Sequence, residues 1–172
     1  GKPVVLVQGF VVNSESWKRT ALYKNLPDAG YQVITVDLRG NGKSDKPHTP
    51  EAYENDAEAK DIMRLADHLK LHAYSVIGYS RGSIIASRLL ILDKRVHPVV
   101  MGGMGDGFMD PKWPRRIMFY EALTGTSHKE LEPLLKFIKD TKLDQEALAY
   151  MQKAQPSTSK EEFSRVHKPV LV

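Results

Sequence analysis

Two patterns of apolar residues alternate along the chain. Short, continuous runs of aliphatic residues are typical of buried parallel strands, and longer segments with apolar residues every three or four positions are typical of helices facing a core. The runs predict strands over residues 3–7, 32–37, 74–79, 97–103 and 168–172, and the spaced segments predict helices over 15–26, 54–71 and 84–92. Strands that alternate with helices through short loops favour right-handed crossovers and a parallel sheet. The pattern alone therefore predicts an α/β fold.

The alternation stops after Gly105. Residues 106–166 contain no strand-like run, and their spacing predicts helices over 114–123, 129–140, 145–152 and 160–165. They carry more apolar and aromatic side chains than a mere connection requires, namely Phe108, Met109, Trp113, Met118, Phe119, Tyr120 and Phe137. We therefore expect a core over residues 1–105, a helical cap over 106–167 that covers the strand ends as a lid, and a return strand of the core over 168–172.

Composition indicates one soluble globular domain. The chain has 172 residues, 41% of them hydrophobic and 27% charged, which is enough for a sizeable core. Its net charge of +4 does not form a basic arm, because residues 106–172 hold eleven basic and ten acidic side chains, so no nucleic-acid partner is expected. No membrane-spanning run and no signal-peptide pattern is visible, so we expect no membrane partner and a cytoplasmic location.

Metal and cofactor chemistry find little support. The absence of cysteine excludes disulfides, thiolate metal sites and a cysteine nucleophile. His68 and His72 have the spacing of metal ligands on a helix, but no third ligand is apparent. The glycines over residues 102–107 do not fit a dinucleotide-binding pattern. We expect no cofactor and no metal.

Ser80 is the main candidate for chemistry. It lies at the centre of Gly78-Tyr79-Ser80-Arg81-Gly82, with a predicted strand before it and a predicted helix after it. A sharp bend leaves no room for a Cβ two residues to either side of the serine, which explains the glycines. The start of the helix points free N–H groups at the serine oxygen. The arrangement predicts a nucleophile elbow, and a serine in an ordinary helix N-cap turn is the alternative.

Two further stretches point in the same direction. Gln8-Gly9-Phe10 follows the first predicted strand, and residues 37–47 read DLRGNGKSDKP. Together with the Ser80 stretch, they resemble the α/β-hydrolase family, in its branch of small esterases, haloperoxidase-like enzymes and lactonases with helical caps. The resemblance covers nearly the whole chain. It implies a doubly wound, mostly parallel sheet with a helical cap insertion, here without the family's first and last strands.

The resemblance also implies roles for individual residues. Ser80 would attack the acyl carbon of a small ester, lactone or other activated acyl compound, and the backbone N–H groups of Phe10 and Arg81 would form the oxyanion hole. Gln8 replaces a histidine that is structural in the family, and Ser83 replaces a frequent glycine. The partner expected is a small-molecule acyl substrate.

The general base is the main departure from the family. The family's chain order is serine, then acid, then histidine, and we expect the acid and the histidine beyond Val172, together with a strand pair ahead of Gly1. Asp106 is a weaker candidate for the acid, and a turn aspartate is the simpler interpretation of it. His128 belongs to the cap, and His167 precedes a strand at its amino end, so neither suits the base. A second chain that supplies these pieces is an alternative, and an oligomer is possible.

Other functions stay open at this point. A ligand-binding or receptor-like protein could keep the fold without turnover, and the chain could be an inactive part of a hydrolase. A cofactor-free peroxidation or lyase reaction on the same scaffold would leave the same motifs. Fold alone does not decide between these functions.

Overall fold

The computed structural model describes all residues, 1–172. Its centre is one parallel sheet with the strand order β2-β1-β3-β4-β5. The strands are β1 (Lys2–Val7), β2 (Tyr31–Thr35), β3 (Tyr74–Tyr79), β4 (Val96–Gly102) and β5 (Val170–Leu171). The predicted α/β class is confirmed, and the five predicted strands are all present, although β5 pairs over only two residues.

Seven α-helices complete the fold. They are α1 (Ala21–Asp28), α2 (Ala57–His68), α3 (Arg81–Leu92), α4 (Pro114–Leu123), α5 (Glu132–Asp140), α6 (Gln145–Lys153) and α7 (Lys160–Ser164). The bounds of α4 are those predicted from the sequence. The segment predicted as one helix over 129–140 is a 3-10 turn, Lys129–Leu131, followed by α5.

The helix predicted over 15–26 is also divided, and Ser14, the polar residue just before it, does not cap it. A 3-10 turn, Ser14–Arg19, precedes α1, and its cap is Asn13, whose side chain accepts a hydrogen bond from the Glu15 N–H. Thr20 separates the two elements because its N–H and its hydroxyl both donate to the carbonyl of Trp17, while its side chain caps α1. Local hydrogen bonds of this kind compete with a continuous helix.

Helix α2 is shorter than predicted. Asn55 and Asp56 have φ values of 55° and 58°, which a helix interior does not allow, so the helix begins only at Ala57. At its other end, the apolar spacing over 54–71 would place Leu69 on the inward face, but α2 stops at His68 and Leu69, its C-cap residue, is 41% exposed.

The sheet has packed layers on both faces. Along β1, Val5 and Val7 belong to the main apolar cluster with α2 and α3, whereas Val4 and Leu6 pack against Trp17. Successive residues of a strand point to opposite faces, so each side of the sheet has its own apolar cluster. This two-sided arrangement explains why β1 is a continuous apolar run.

The helices of residues 106–167, the segment predicted as a cap and called the cap from here on, share an apolar cluster with Tyr53 of the core. Its buried members include Leu123, Ile138, Leu148 and Met151, and Phe10 of the core packs against them. None of the helices is both long and apolar enough to cross a lipid bilayer.

Candidate active site

Ser80 stands at the sharp bend between β3 and α3. Its φ and ψ angles are 54° and −122°, a combination that non-glycine residues rarely adopt and that persists only where the surroundings enforce it. Its N–H donates to the carbonyl of Gly102 at 2.8 Å, and its carbonyl accepts from the Ser83 N–H at 2.8 Å. The serine is therefore held in a strained conformation by main-chain contacts on both sides.

The two flanking glycines leave no room for a side chain. A Cβ on Gly78 would lie 2.2 Å from the carbonyl oxygen of Gly82, and a Cβ on Gly82 would lie 2.1 Å from the carbonyl oxygen of Val7. Both contacts are with backbone atoms, which cannot move aside. The prediction that the bend excludes Cβ atoms at these positions is confirmed.

Ser83 contributes more than its small size. Its hydroxyl lies 3.0 Å from the carbonyl oxygen of Gly78 and 2.9 Å from that of Gly102, and it is fully buried. It thereby joins the first turn of α3 to the ends of β3 and β4. From the sequence, Ser83 was noted only as the replacement of a frequent glycine of the family.

The turn after β1 passes beside the serine. A Cβ on Gly9 would lie 3.7 Å from the Cβ of Ser80, and the Phe10 N–H donates no hydrogen bond within the protein. The Arg81 N–H is in the first turn of α3, where amides have no intrahelical acceptor. Gln8 supports the turn, because its Nε2 donates to the carbonyl of Val12 at 2.8 Å.

A cavity of about 50 Å³ lies between this bend and the cap. The core contributes Ser80, Phe10 and Arg81, and the remaining lining residues are Met104, Trp113, Arg115, Phe119, Gln152 and Gln155. Trp113 and Phe119 are among the apolar residues singled out in the sequence, whereas Met118 does not line this cavity. No histidine, aspartate or glutamate lines it.

The side chain of Arg81 joins the core to the cap. Its guanidinium donates to both carboxylate oxygens of Glu58, at 2.5 Å and 3.2 Å, and to the carbonyl of Met151 at 3.0 Å. The Arg81 and Glu58 side chains are each only 3% exposed, and the guanidinium lies 5.8 Å from the centre of the Phe10 ring. Sequence reasoning assigned only the backbone of Arg81, because partners 23 and 70 positions away leave no local pattern.

The other candidate acid and base residues lie elsewhere. Asp106 begins the 3-10 turn Asp106–Met109 and lines a larger groove of about 640 Å³ at the β5 edge, which does not include Ser80. The Nε2 of His128 lies 2.9 Å from a carboxylate oxygen of Glu121, and His167 is exposed. Neither histidine lines the Ser80 cavity, and no three metal-ligating side chains form a cluster.

The DLRGNGKSDKP stretch forms a loop around the carboxylate of Asp37. This carboxylate accepts from the N–H groups of Ser14 and Lys43, at 2.7 Å and 2.8 Å. Partial burial acts to raise the pKa of Asp37, but these hydrogen bonds outweigh it and hold the pKa below its usual value. A Cβ on Gly42 would lie 2.1 Å from the Asp37 carboxylate, so the motif serves the loop's shape and lies outside the Ser80 cavity.

Comparison with known proteins places the chain in a family. The family model for the alpha/beta hydrolase fold matches residues 2–120. A putative non-heme chloroperoxidase from Synechocystis sp. is 39% identical over 90 residues, which cover 52% of this chain and 31% of that protein. A putative 2-succinyl-6-hydroxy-2,4-cyclohexadiene-1-carboxylate synthase from Bacillus subtilis is 34% identical over 99 residues, which cover 57% of this chain and 35% of that protein.

Solved structures agree with this assignment. MGS-M2, an alpha/beta hydrolase enzyme from a Medee basin deep-sea metagenome library, superposes with a TM-score of 0.74 at 13% identity, over 98% of this chain and 69% of that one. At this identity the similarity shows the fold alone. The match spans only about a third of the length of the two curated relatives. With the family model matching well over half of its residues, the chain belongs to the α/β-hydrolase fold family.

Proposed function

We propose that Ser80 is the nucleophile of a hydrolase that acts on a small ester, lactone or other activated acyl substrate. One observation carries the proposal, namely the strained conformation of Ser80 at a bend where Phe10 and Arg81 line the same cavity. Strained backbone at a cavity is typical of functional sites, and a serine on a strand-to-helix bend is the nucleophile arrangement of this fold.

The proposed reaction follows the usual course of acyl transfer. The Oγ of Ser80 attacks the acyl carbon and gives its proton to a general base, and the resulting oxyanion accepts hydrogen bonds from the N–H groups of Phe10 and Arg81. The leaving alkoxide takes the proton and departs, and water then releases the acid from the acyl-enzyme. Loss of one such oxyanion donor typically costs roughly 3 kcal/mol of barrier.

We propose that the general base is a histidine outside these 172 residues. The cavity at Ser80 contains no histidine and no carboxylate of this chain, and the fold's catalytic histidine follows the serine and the acid in chain order. A peroxidase or synthase reaction on the same scaffold is the second candidate, since the two curated relatives are named a putative non-heme chloroperoxidase and a putative synthase.

The Ser80→Ala variant of the native protein tests the proposal. We expect turnover of p-nitrophenyl acetate to fall by about a thousandfold or more, because the acyl-enzyme cannot form. Ser164→Ala, which removes an exposed serine on α7, is the matched control and should keep the parent rate. Residual activity within about tenfold of the parent would remove Ser80 from the mechanism, and a native protein without turnover would favour a binding function.

A further inference from the structure

Arg115 is an unpaired cation at the Ser80 cavity. Seven of the nine arginines donate hydrogen bonds to protein groups, and only Arg19 and Arg115 do not. Arg115 lines the cavity together with Ser80. It has no salt-bridge partner, whereas the charge of Arg81, the other cation of the lining, is balanced by Glu58 at 2.5 Å. The cavity wall therefore carries one positive charge without a counter-charge.

The guanidinium of Arg115 is held in position without using its donors. It lies 4.7 Å from the centre of the Phe119 ring, and the Phe119 ring packs edge to face against Phe10 at 6.1 Å. Stacking on an aromatic face orients an arginine and leaves the N–H groups at its edge free. These contacts link the proposed oxyanion turn to the guanidinium of Arg115, which is oriented by the Phe119 ring and whose N–H groups make no hydrogen bond within the protein.

The neighbouring cation strengthens the positive character of this wall. Arg116 donates to the carbonyls of Pro111 and Lys153 and has no carboxylate partner. Burial, and the nearby charge of Arg81, lower the pKa of Arg116. Arg116 is thus committed to backbone groups, and Arg115 alone is free to bind a ligand.

The lining indicates the chemical class of this ligand. A guanidinium fork matches the two oxygens of a carboxylate, and Phe10, Met104 and Trp113 offer apolar surface to a short hydrocarbon chain. Building on the proposed function, we propose that Arg115 is a specificity-determining residue that binds a carboxylate on the acyl part of the substrate. The substrate class is then the half-ester of a short dicarboxylic acid.

Binding to the Ser80→Ala protein tests this without turnover. Isothermal titration calorimetry compares monomethyl succinate, which has one carboxylate, with dimethyl succinate, which has none. We expect the half-ester to bind about tenfold tighter or more. Arg115→Gln should abolish this preference while lowering the unfolding midpoint only slightly, since Arg115 makes no hydrogen bond within the protein and the variant loses only the contact with the Phe119 ring.

Arg19→Gln is the matched control, because Arg19 is also exposed and has no salt-bridge partner but does not line the cavity; it should keep the preference. Four results would each overturn the proposal. In the Ser80→Ala protein, these are equal affinities for the two esters or no binding of either. In the further variants, they are a preference that survives Arg115→Gln or a preference that is lost in Arg19→Gln. The test does not use the nucleophilicity of Ser80. A preference that depends on Arg115 would stand even if Ser80 proved not to be a nucleophile. Loss of turnover in Ser80→Ala without such a preference would overturn only the role of Arg115.

Discussion

The elbow around Ser80 and the cap are held in place by different kinds of contact. At the elbow, main chain packs against main chain, because Gly78 and Gly82 bring the backbone of β3, α3 and β1 to distances that no side chain would allow. The contacts between the cap and the elbow use side chains. The guanidinium of Arg81 donates to the carbonyl of Met151, and the ring of Phe119 packs against that of Phe10.

This difference separates two properties that an enzyme site needs. Main-chain packing fixes Ser80, the proposed nucleophile, rigidly, and it can be achieved only with glycine at fixed positions. Side-chain contacts can be rebuilt with other residues, so a cap can change its lining without disturbing the bend. We propose on this basis that the bend provides the chemistry and the cap sets the choice of substrate.

Gly82→Ala gives the largest expected effect, because it attacks the main-chain packing directly. The new Cβ would meet the carbonyl oxygen of Val7 at 2.1 Å, so we expect a loss of more than about 4 kcal/mol in the free energy of unfolding. Urea denaturation measures the loss. Gly105→Ala is the control, since Gly105 has a φ of −77° and nothing within 4 Å of its Cβ position; it should stay within about 1 kcal/mol of the parent. Similar values for both variants would contradict the account of the elbow.

Arg81→Met tests the link between elbow and cap. It leaves the carboxylate of Glu58 buried without its partner, which typically costs about 3–5 kcal/mol of stability. The double variant Arg81→Met/Glu58→Leu should recover much of this loss, because no buried charge remains. Lys18→Met, which breaks the exposed pair with Glu15, should leave the urea midpoint unchanged. A mild effect of Arg81→Met would show that the link is dispensable.

Phe119→Ala probes the cap's proposed role in selecting substrates. Because Phe119 lines the Ser80 cavity, its truncation should shift the ratio of kcat/KM between butyrate and acetate p-nitrophenyl esters by about tenfold. Ile117→Ala, on the same helix, changes a residue that is 47% exposed and outside the cavity, and it should leave the ratio unchanged. If Phe119→Ala changes only the melting temperature, Phe119 is an ordinary packing residue.

His48→Gln should have the smallest effect, and one that depends on pH. The ring of His48 bridges the loop to α6, and its pKa is raised above 6.5, chiefly because of its hydrogen bond with Asp144. A raised folded-state pKa means that the pair stabilises the fold fully below the unfolded pKa and loses this contribution as the pH rises through the folded pKa.

The urea midpoint of His48→Gln should therefore fall below that of the parent at about pH 5.5 and approach it at about pH 9. His72 is an exposed histidine outside the cap, and the urea midpoint of His72→Gln should match that of the parent at both pH values. A constant difference for His48→Gln across this range would exclude the charged pair.

The sequence predicted the elbow better than it predicted the cap's attachment. The bounds of β3 agree with the structure because a strand, a glycine-flanked serine and a helix are all local patterns. Helix ends at Asn55 and Thr20 were missed, because positive φ values and side-chain hydrogen bonds overrode the apolar spacing. The partners of Arg81 and the free fork of Arg115 could not be predicted, since both depend on which distant residues the fold brings together.

Labelling of the native protein with a fluorophosphonate, followed by peptide mapping, tests the central claim most directly. Such a reagent forms a stable bond only with an activated serine, so it reports both the strained bend and its general base. The account predicts one modified residue, Ser80, and no modification in the Ser80→Ala variant. Modification at another serine, or an unlabelled protein under conditions where a known serine hydrolase reacts completely, would contradict it.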